Sequence, residues 1–269
     1  MVNPRQIFED NIRPADLLLK VFRLLEHDAP HEEESVVRTL RDLVKPDDDE
    51  GWVIYNDVFL GLIRERAEVQ PKQLRKSALC NLLRQTVVIA CTGLETYLPS
   101  IMNTHFEELI SVKGRGFVNI KDKEVFGHLE SVRFNLSETL QLLAEPAPLV
   151  VANKVRAFLE TNLSGRRGVH VVGVMFGIED PLAIIANKLA RKPTELGKFI
   201  DDTVSRRNDI VHRADRNRLN MAGEQQAITI GFAMQAVDSI RHVVTCLDEM
   251  IQDQMKQLRE QSSESQGAS

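Results

Sequence analysis

The chain has 269 residues, 43% of them hydrophobic and 27% charged, enough to bury one large core or two small ones. A formal net charge of −5 argues against a surface that coats nucleic acid generically, and no run approaches the ~18 to 20 apolar residues of a membrane span. The polar start Met1-Val2-Asn3-Pro4-Arg5 does not read as a secretory signal, so a cytoplasmic protein without membrane contact is expected.

In chain order, Ala15 to His27 reads as the first helix, with Leu17, Leu18, Val21, Leu24 and Leu25 on one side. Pro30 and two acidic runs, Glu32 to Glu34 and Asp47 to Glu50, break the pattern. Short helices over Ser35–Val44 and Trp52–Val69 would make 1–75 an N-terminal helix plus a helical insertion. From 72 to 98, Leu79, Leu83, Val87, Ala90, Leu94 and Leu98 recur at steps of three and four, the stripe of a long amphipathic helix. Pro99 is expected to kink or end it. Gly114 and Gly116 mark a loop, and helices are expected over Val125–Leu143 and Val151–Leu163, separated by Glu145-Pro146-Ala147-Pro148.

Val169 to Ile178 fits a strand or a helix by period; with no second convincing strand to pair with, it is read as helix. Leu182–Lys192 follows, closed by Pro193. Thr194 then offers an N-cap, and Leu196, Phe199, Ile200 and Val204 form the buried face of the next helix. A polar loop at 214–228 leads to a last helix, Thr229–Gln257, with Ala233, Val237, Ile240, Val244, Leu247 and Ile251 in bundle spacing. The Ser/Gln/Gly end, Gln261–Ser269, is expected to be disordered. The fold class is therefore all-α, a helical bundle over 76–258 between the 1–75 insertion and a tail at 259–269.

Cys80, Cys91 and Cys246 are an odd set without a CxxC pair. On one helix Cys80 and Cys91 would stand roughly 16 Å apart, too far for a disulfide, so reduced thiols are expected. No metal and no cofactor is expected either. His27 and His31 are separated by Pro30, Asp47 to Glu50 lacks the spacing and glycine of a calcium loop, and no HExxH occurs. Gly165-Arg166-Arg167-Gly168 has no following Lys-Ser/Thr and reads as a basic surface turn.

The densest chemistry lies in Ser205-Arg206-Arg207-Asn208-Asp209-Ile210-Val211-His212-Arg213-Ala214-Asp215. Residues 206–218 carry five arginines: Arg206, Arg207, Arg213, Arg216 and Arg218. Arginine offers phosphate a fixed fork of donors, and histidine exchanges protons near neutrality. On a regular helix Arg207 and His212 are roughly 140° apart around the axis and about 7.5 Å along it. They would line a groove rather than touch, and Asp202 lies five residues behind Arg207, where it could orient the guanidinium. A plain polar helix end, with His212 near the negative end of the dipole and the arginines solvated, is the other reading of the same residues.

At Arg207, Asn208, Asp209-Ile210-Val211 and His212 the sequence resembles the HEPN family, whose signature is Arg, a polar residue, three variable positions and His. The fuller run Arg206 to Arg213 looks like RiboL-PSP-type HEPN nuclease-like proteins. So does the order of parts: a long helix containing Thr92-Gly93-Leu94-Glu95-Thr96-Tyr97-Leu98, the motif helix, and a last amphipathic helix. The resemblance covers about residues 75–255. It implies a HEPN-like helical bundle and a metal-independent endoribonuclease, acting as a homodimer in which two motifs form one cleft. By the same resemblance Arg207 would hold the scissile phosphate, His212 would serve as general base or acid, and Asn208 would orient the histidine or bind RNA. Arg206, Arg213 and Arg216 would contact the RNA backbone. Apart from the resemblance, Glu95 could support the motif as Asp202 could, but an exposed helix carboxylate is the more ordinary reading of it. A toxin or anti-phage defence role, with an antitoxin or defence-system partner, also comes from the resemblance alone. A non-catalytic helical module that binds RNA or protein is the competing expectation.

Overall fold

A computed structural model describes residues 3–25, 76–113, 122, 125, 132–160, 163–217 and 220–267. The expected helices at Ser35–Val44 and Trp52–Val69, the histidines and acidic runs before residue 51, the Gly114/Gly116 loop and Arg218 lie outside them. The described residues form α1 (Pro4–Leu25), α2 (Lys76–Lys113), α3 (Leu136–Ala144), α4 (Ala147–Glu160), α5 (Gly165–Met175), α6 (Pro181–Lys188), α7 (Pro193–Arg213), β1 (Arg216–Asn217), β2 (Asn220–Gln225) and α8 (Ile230–Gly267). The fold is all-α, with one small antiparallel hairpin where a plain polar loop was expected. No described helix is long and apolar enough to cross a membrane.

Local chemistry explains where the helices depart from the sequence reading. α1 begins at Pro4 rather than Ala15, because Pro4 suits a first turn that needs no N–H, and the Asn3 side chain accepts the Arg5 amide at 2.9 Å. α2 runs through Pro99 instead of ending there. Leu94, Tyr97, Leu98, Ile101 and Met102, on both sides of the proline, are all buried, and that packing outweighs one missing backbone hydrogen bond. α3 starts only at Leu136, since Asn135 closes a capping box with Glu138. α7 starts on Pro193, so Thr194 sits inside the first turn rather than capping it. α8 continues to Gly267 past the expected end near Gln257. There Arg259 forms a bidentate pair with Glu108, and Ser263 hydrogen-bonds back to the Arg259 carbonyl.

The chain packs as two compact units that are each discontinuous in sequence. The first comprises Met1–Asn11, Cys91–Ser205 and Asp238–Ser269. Here α2 contacts three other helices. Phe8 of α1 meets Tyr97 edge-on at 6.2 Å, the Tyr97 hydroxyl donates to Asp248 of α8 at 3.0 Å, and the Cys91 thiol lies 3.8 Å from the Thr203 carbonyl of α7. The second comprises Ile12–Ala90 and Arg206–Val237, and holds the hairpin and the C-terminal end of α7.

Two details of the first unit bear on stability. Gly173 of α5 lies against Pro181, the first residue of α6; a Cβ there would meet the proline ring at 2.6 Å. Gly173→Ala should therefore cost about 1–3 kcal/mol, read by urea denaturation, and an unchanged midpoint would show that the two helices separate freely. Burial raises the carboxyl pKa of Asp248 above its usual value, more than the Tyr97 hydrogen bond lowers it. With the folded pKa above the unfolded one, the stability linked to this group is fully present below the unfolded pKa and is lost as pH rises through the folded pKa. Asp248→Asn, which can still accept the Tyr97 proton, should raise the melting temperature more at pH 7 than at pH 4; an equal shift at both would contradict the assignment.

Candidate functional site

α7 carries the Arg206–Arg213 run through its last two turns and remains helical to Arg213. Ile210 is buried and fixes the inner side of this end, while Val211 and His212 are exposed. The chain then turns sharply. Ala214 and Asp215 both have left-handed backbones, φ 49° and 63°, and the Asp215 amide donates back to the Asp209 carbonyl at 2.9 Å. Aspartate is one of the few residues that adopts this region readily. The Asp215 carbonyl in turn accepts the Gln226 amide at 2.8 Å and starts the hairpin, in which Arg216 pairs with Gln225 and Asn217 with Asn220.

The Asp215 side chain is the electrostatic centre of this region. It is 0% exposed and faces two guanidinium groups. Arg84 of α2 donates from Nε to Oδ2 at 2.7 Å, and Arg206 donates from Nη2 to the same oxygen at 2.9 Å. Arg206 Nε also lies 2.7 Å from Oδ1, a charge contact whose N–H is not aligned as a hydrogen bond. The outer nitrogens of both arginines donate to the Gln226 carbonyl, and Arg206 reaches the Ala227 carbonyl as well. One carboxylate thus ties together α2, the end of α7 and the segment that returns to α8.

The residues expected to form the site fall into three groups. Arg207 and Asn208 are half-buried and His212 is exposed, all on the last two turns of α7. Their regular helical spacing leaves Arg207 and His212 on different sides of the helix, about 7.5 Å apart along its axis. The arginines expected to touch RNA have internal partners instead. Arg206 is committed to Asp215, Arg213 pairs with Asp209 one turn back, and Arg216 Nε donates to the Gly223 carbonyl at 3.0 Å. Each donates to a nearby carboxylate or carbonyl acceptor. Asp202 is exposed and Glu95 half-buried, and both belong to the first compact unit whereas the motif belongs to the second.

Gly165 to Gly168 opens α5 rather than forming a free basic turn. The Arg166 stem crosses Gly197 of α7, where a Cβ would approach its Cδ to 2.8 Å, and its Nε reaches Asp201 at 3.1 Å.

Sequence reasoning missed Asp215 and Arg84. A signal existed for each. Arg84 stands four residues after Cys80 and three before Val87, at the edge of the apolar stripe, where a charge needs a partner. Asp215 stands two residues past the helix end, at a position that favours a residue tolerant of a left-handed backbone. Among the described residues no group of three or more His, Cys, Asp or Glu side chains converges as a metal site would require. Comparison with protein-family models, curated proteins and solved structures finds no match for this chain.

Proposed function

We propose that the protein is a HEPN-like, metal-independent endoribonuclease whose cleft forms between two copies of the chain. One observation carries this reading: Arg207, Asn208 and His212 share the last two turns of a helix whose end is held in place by a buried carboxylate. Preorganisation of that kind is what charge stabilisation in a transition state needs. Because Arg207 and His212 diverge within one helix, a second copy across a two-fold axis would supply the missing half of the site.

In the proposed reaction the RNA 2′-hydroxyl attacks the adjacent phosphorus as one His212 takes its proton. The P–O5′ bond breaks, and a second His212, from the other copy, gives a proton to the leaving oxygen. Arg207 binds the non-bridging oxygens bidentately, and Asn208 orients the histidine or the RNA. The products are a 2′,3′-cyclic phosphate and a 5′-hydroxyl, and DNA is not cut. A setting as a toxin or defence nuclease with a dedicated protein partner belongs to the same proposal.

The test is incubation of purified protein with mixed cellular RNA in excess EDTA, with end-group analysis of the products. Cyclic phosphate ends support the reading; intact RNA, or a monomer at micromolar concentration, counts against it. A second reading, a non-catalytic module that binds RNA or protein, is favoured by two observations. Arg206, Arg213 and Arg216 are engaged internally, and α3 exposes Leu136, Leu140 and Leu143. RNA binding without cleavage would select it.

A further inference from the structure

A cleft of about 750 Å³ lined largely by polar residues lies in the first compact unit, between the C-terminal half of α2 and α8, with Asn3 and Pro4 also in its lining. That volume is in the range of small-molecule sites. Hydrogen-bond accounting gives its character. The Thr104 and Ser111 hydroxyls each spend their single proton on a backbone carbonyl one turn back, at 2.9 Å, so they offer the cleft lone pairs only. The Gln252 amide nitrogen lies 3.2 Å from His105 Nε2, which makes that imidazole nitrogen the acceptor and leaves the Gln252 oxygen free to accept. Burial lowers the His105 pKa, in keeping with a neutral ring.

Charge agrees with this pattern. Of the cleft's carboxylates, Glu108 is neutralised by Arg259 through two hydrogen bonds. Glu107 and Asp248 have no cationic partner among the lining residues; outside the lining, the Arg5 charge acts on Asp248 and also pairs with Glu9 at 3.2 Å. Asp248 Oδ1 is taken by the Tyr97 hydroxyl, leaving Oδ2 as an acceptor. From Thr104 to Ser111 these acceptors extend about 10 Å along α2. Together with the two carboxylates, these acceptors favour an elongated cation rich in N–H donors, while the Asn3 and Asn103 amides in the same lining can also donate.

We propose that this cleft binds a linear aliphatic polyamine, with one ammonium at Asp248 and Thr104 and another toward Glu107 and Ser111. The site uses none of the Arg207–His212 residues and does not depend on the ribonuclease reading.

The experiment is calorimetric titration of the RNA-free full-length protein with spermidine at fixed ionic strength. Saturable binding is expected, weakened at least tenfold by Asp248→Asn and also weakened by Glu107→Gln, with His212→Ala unchanged. Glu107 is exposed and lies away from the Tyr97 hydrogen bond, so its variant tests the carboxylates independently of any effect of Asp248→Asn on the core. The proposal is overturned by the absence of saturable heat up to millimolar spermidine, by wild-type affinity in both carboxylate variants, or by equally tight binding of magnesium ion, which would mark diffuse charge screening.

Discussion

Alanine in place of His212 is expected to slow RNA cleavage by about 10²- to 10⁴-fold, the usual contribution of a positioned general acid or base. RNA affinity should change only a few-fold, because His212 is a single exposed side chain at the end of α7. Single-turnover cleavage in EDTA separates the two quantities. Arg207→Lys provides the companion measurement. It keeps the charge and removes the planar fork, so a large loss would identify bidentate phosphate binding rather than simple attraction. A substrate with a 2′-deoxy nucleotide at the cleaved position should resist wild-type protein. Equal rates for wild type and His212→Ala would sink the catalytic role.

The second large effect belongs to Asp215. Removing one member of a buried ion cluster leaves charge without compensation, and typically costs about 3–5 kcal/mol. Asp215→Asn is the informative variant because asparagine also tolerates the left-handed backbone, so its cost reports charge rather than strain. Asp215→Ala should be worse, since it adds the backbone penalty. Urea denaturation checks both, and a loss under about 1 kcal/mol for either would mean that Arg84 and Arg206 are held well enough by the Gln226 and Ala227 carbonyls alone. If the clamp positions the end of α7, Asp215→Asn should also reduce cleavage under conditions where the protein remains folded.

Helix existence was legible in the sequence wherever an apolar stripe was long. Leu79 to Leu98 and Ala233 to Ile251 have helical periods over many turns, and both lie in long helices. Boundaries were less legible because they depend on single side chains and distant contacts. The Asn135 capping box can be read from its Asn-x-x-Glu spacing. The passage of α2 through Pro99 cannot, because it rests on burial against other elements. The same division holds at the site. The motif was visible because its residues are consecutive on one helix. The clamp was hidden because Arg84 and Asp215 are far apart in the chain, and only folding makes one the partner of the other.

The thiols give each compact unit its own clock. Cys91 and Cys246 are buried in the first unit, and burial raises the Cys246 thiol pKa, so alkylation must wait for that unit to open. Half-buried Cys80 lies in the second unit, its sulfur 3.9 Å from the Ile228 carbonyl in the stretch that follows the clamp. Labelling rates at the three positions therefore time the local opening of the two units separately within a single chain. Loosening Asp215 would be registered first at Cys80.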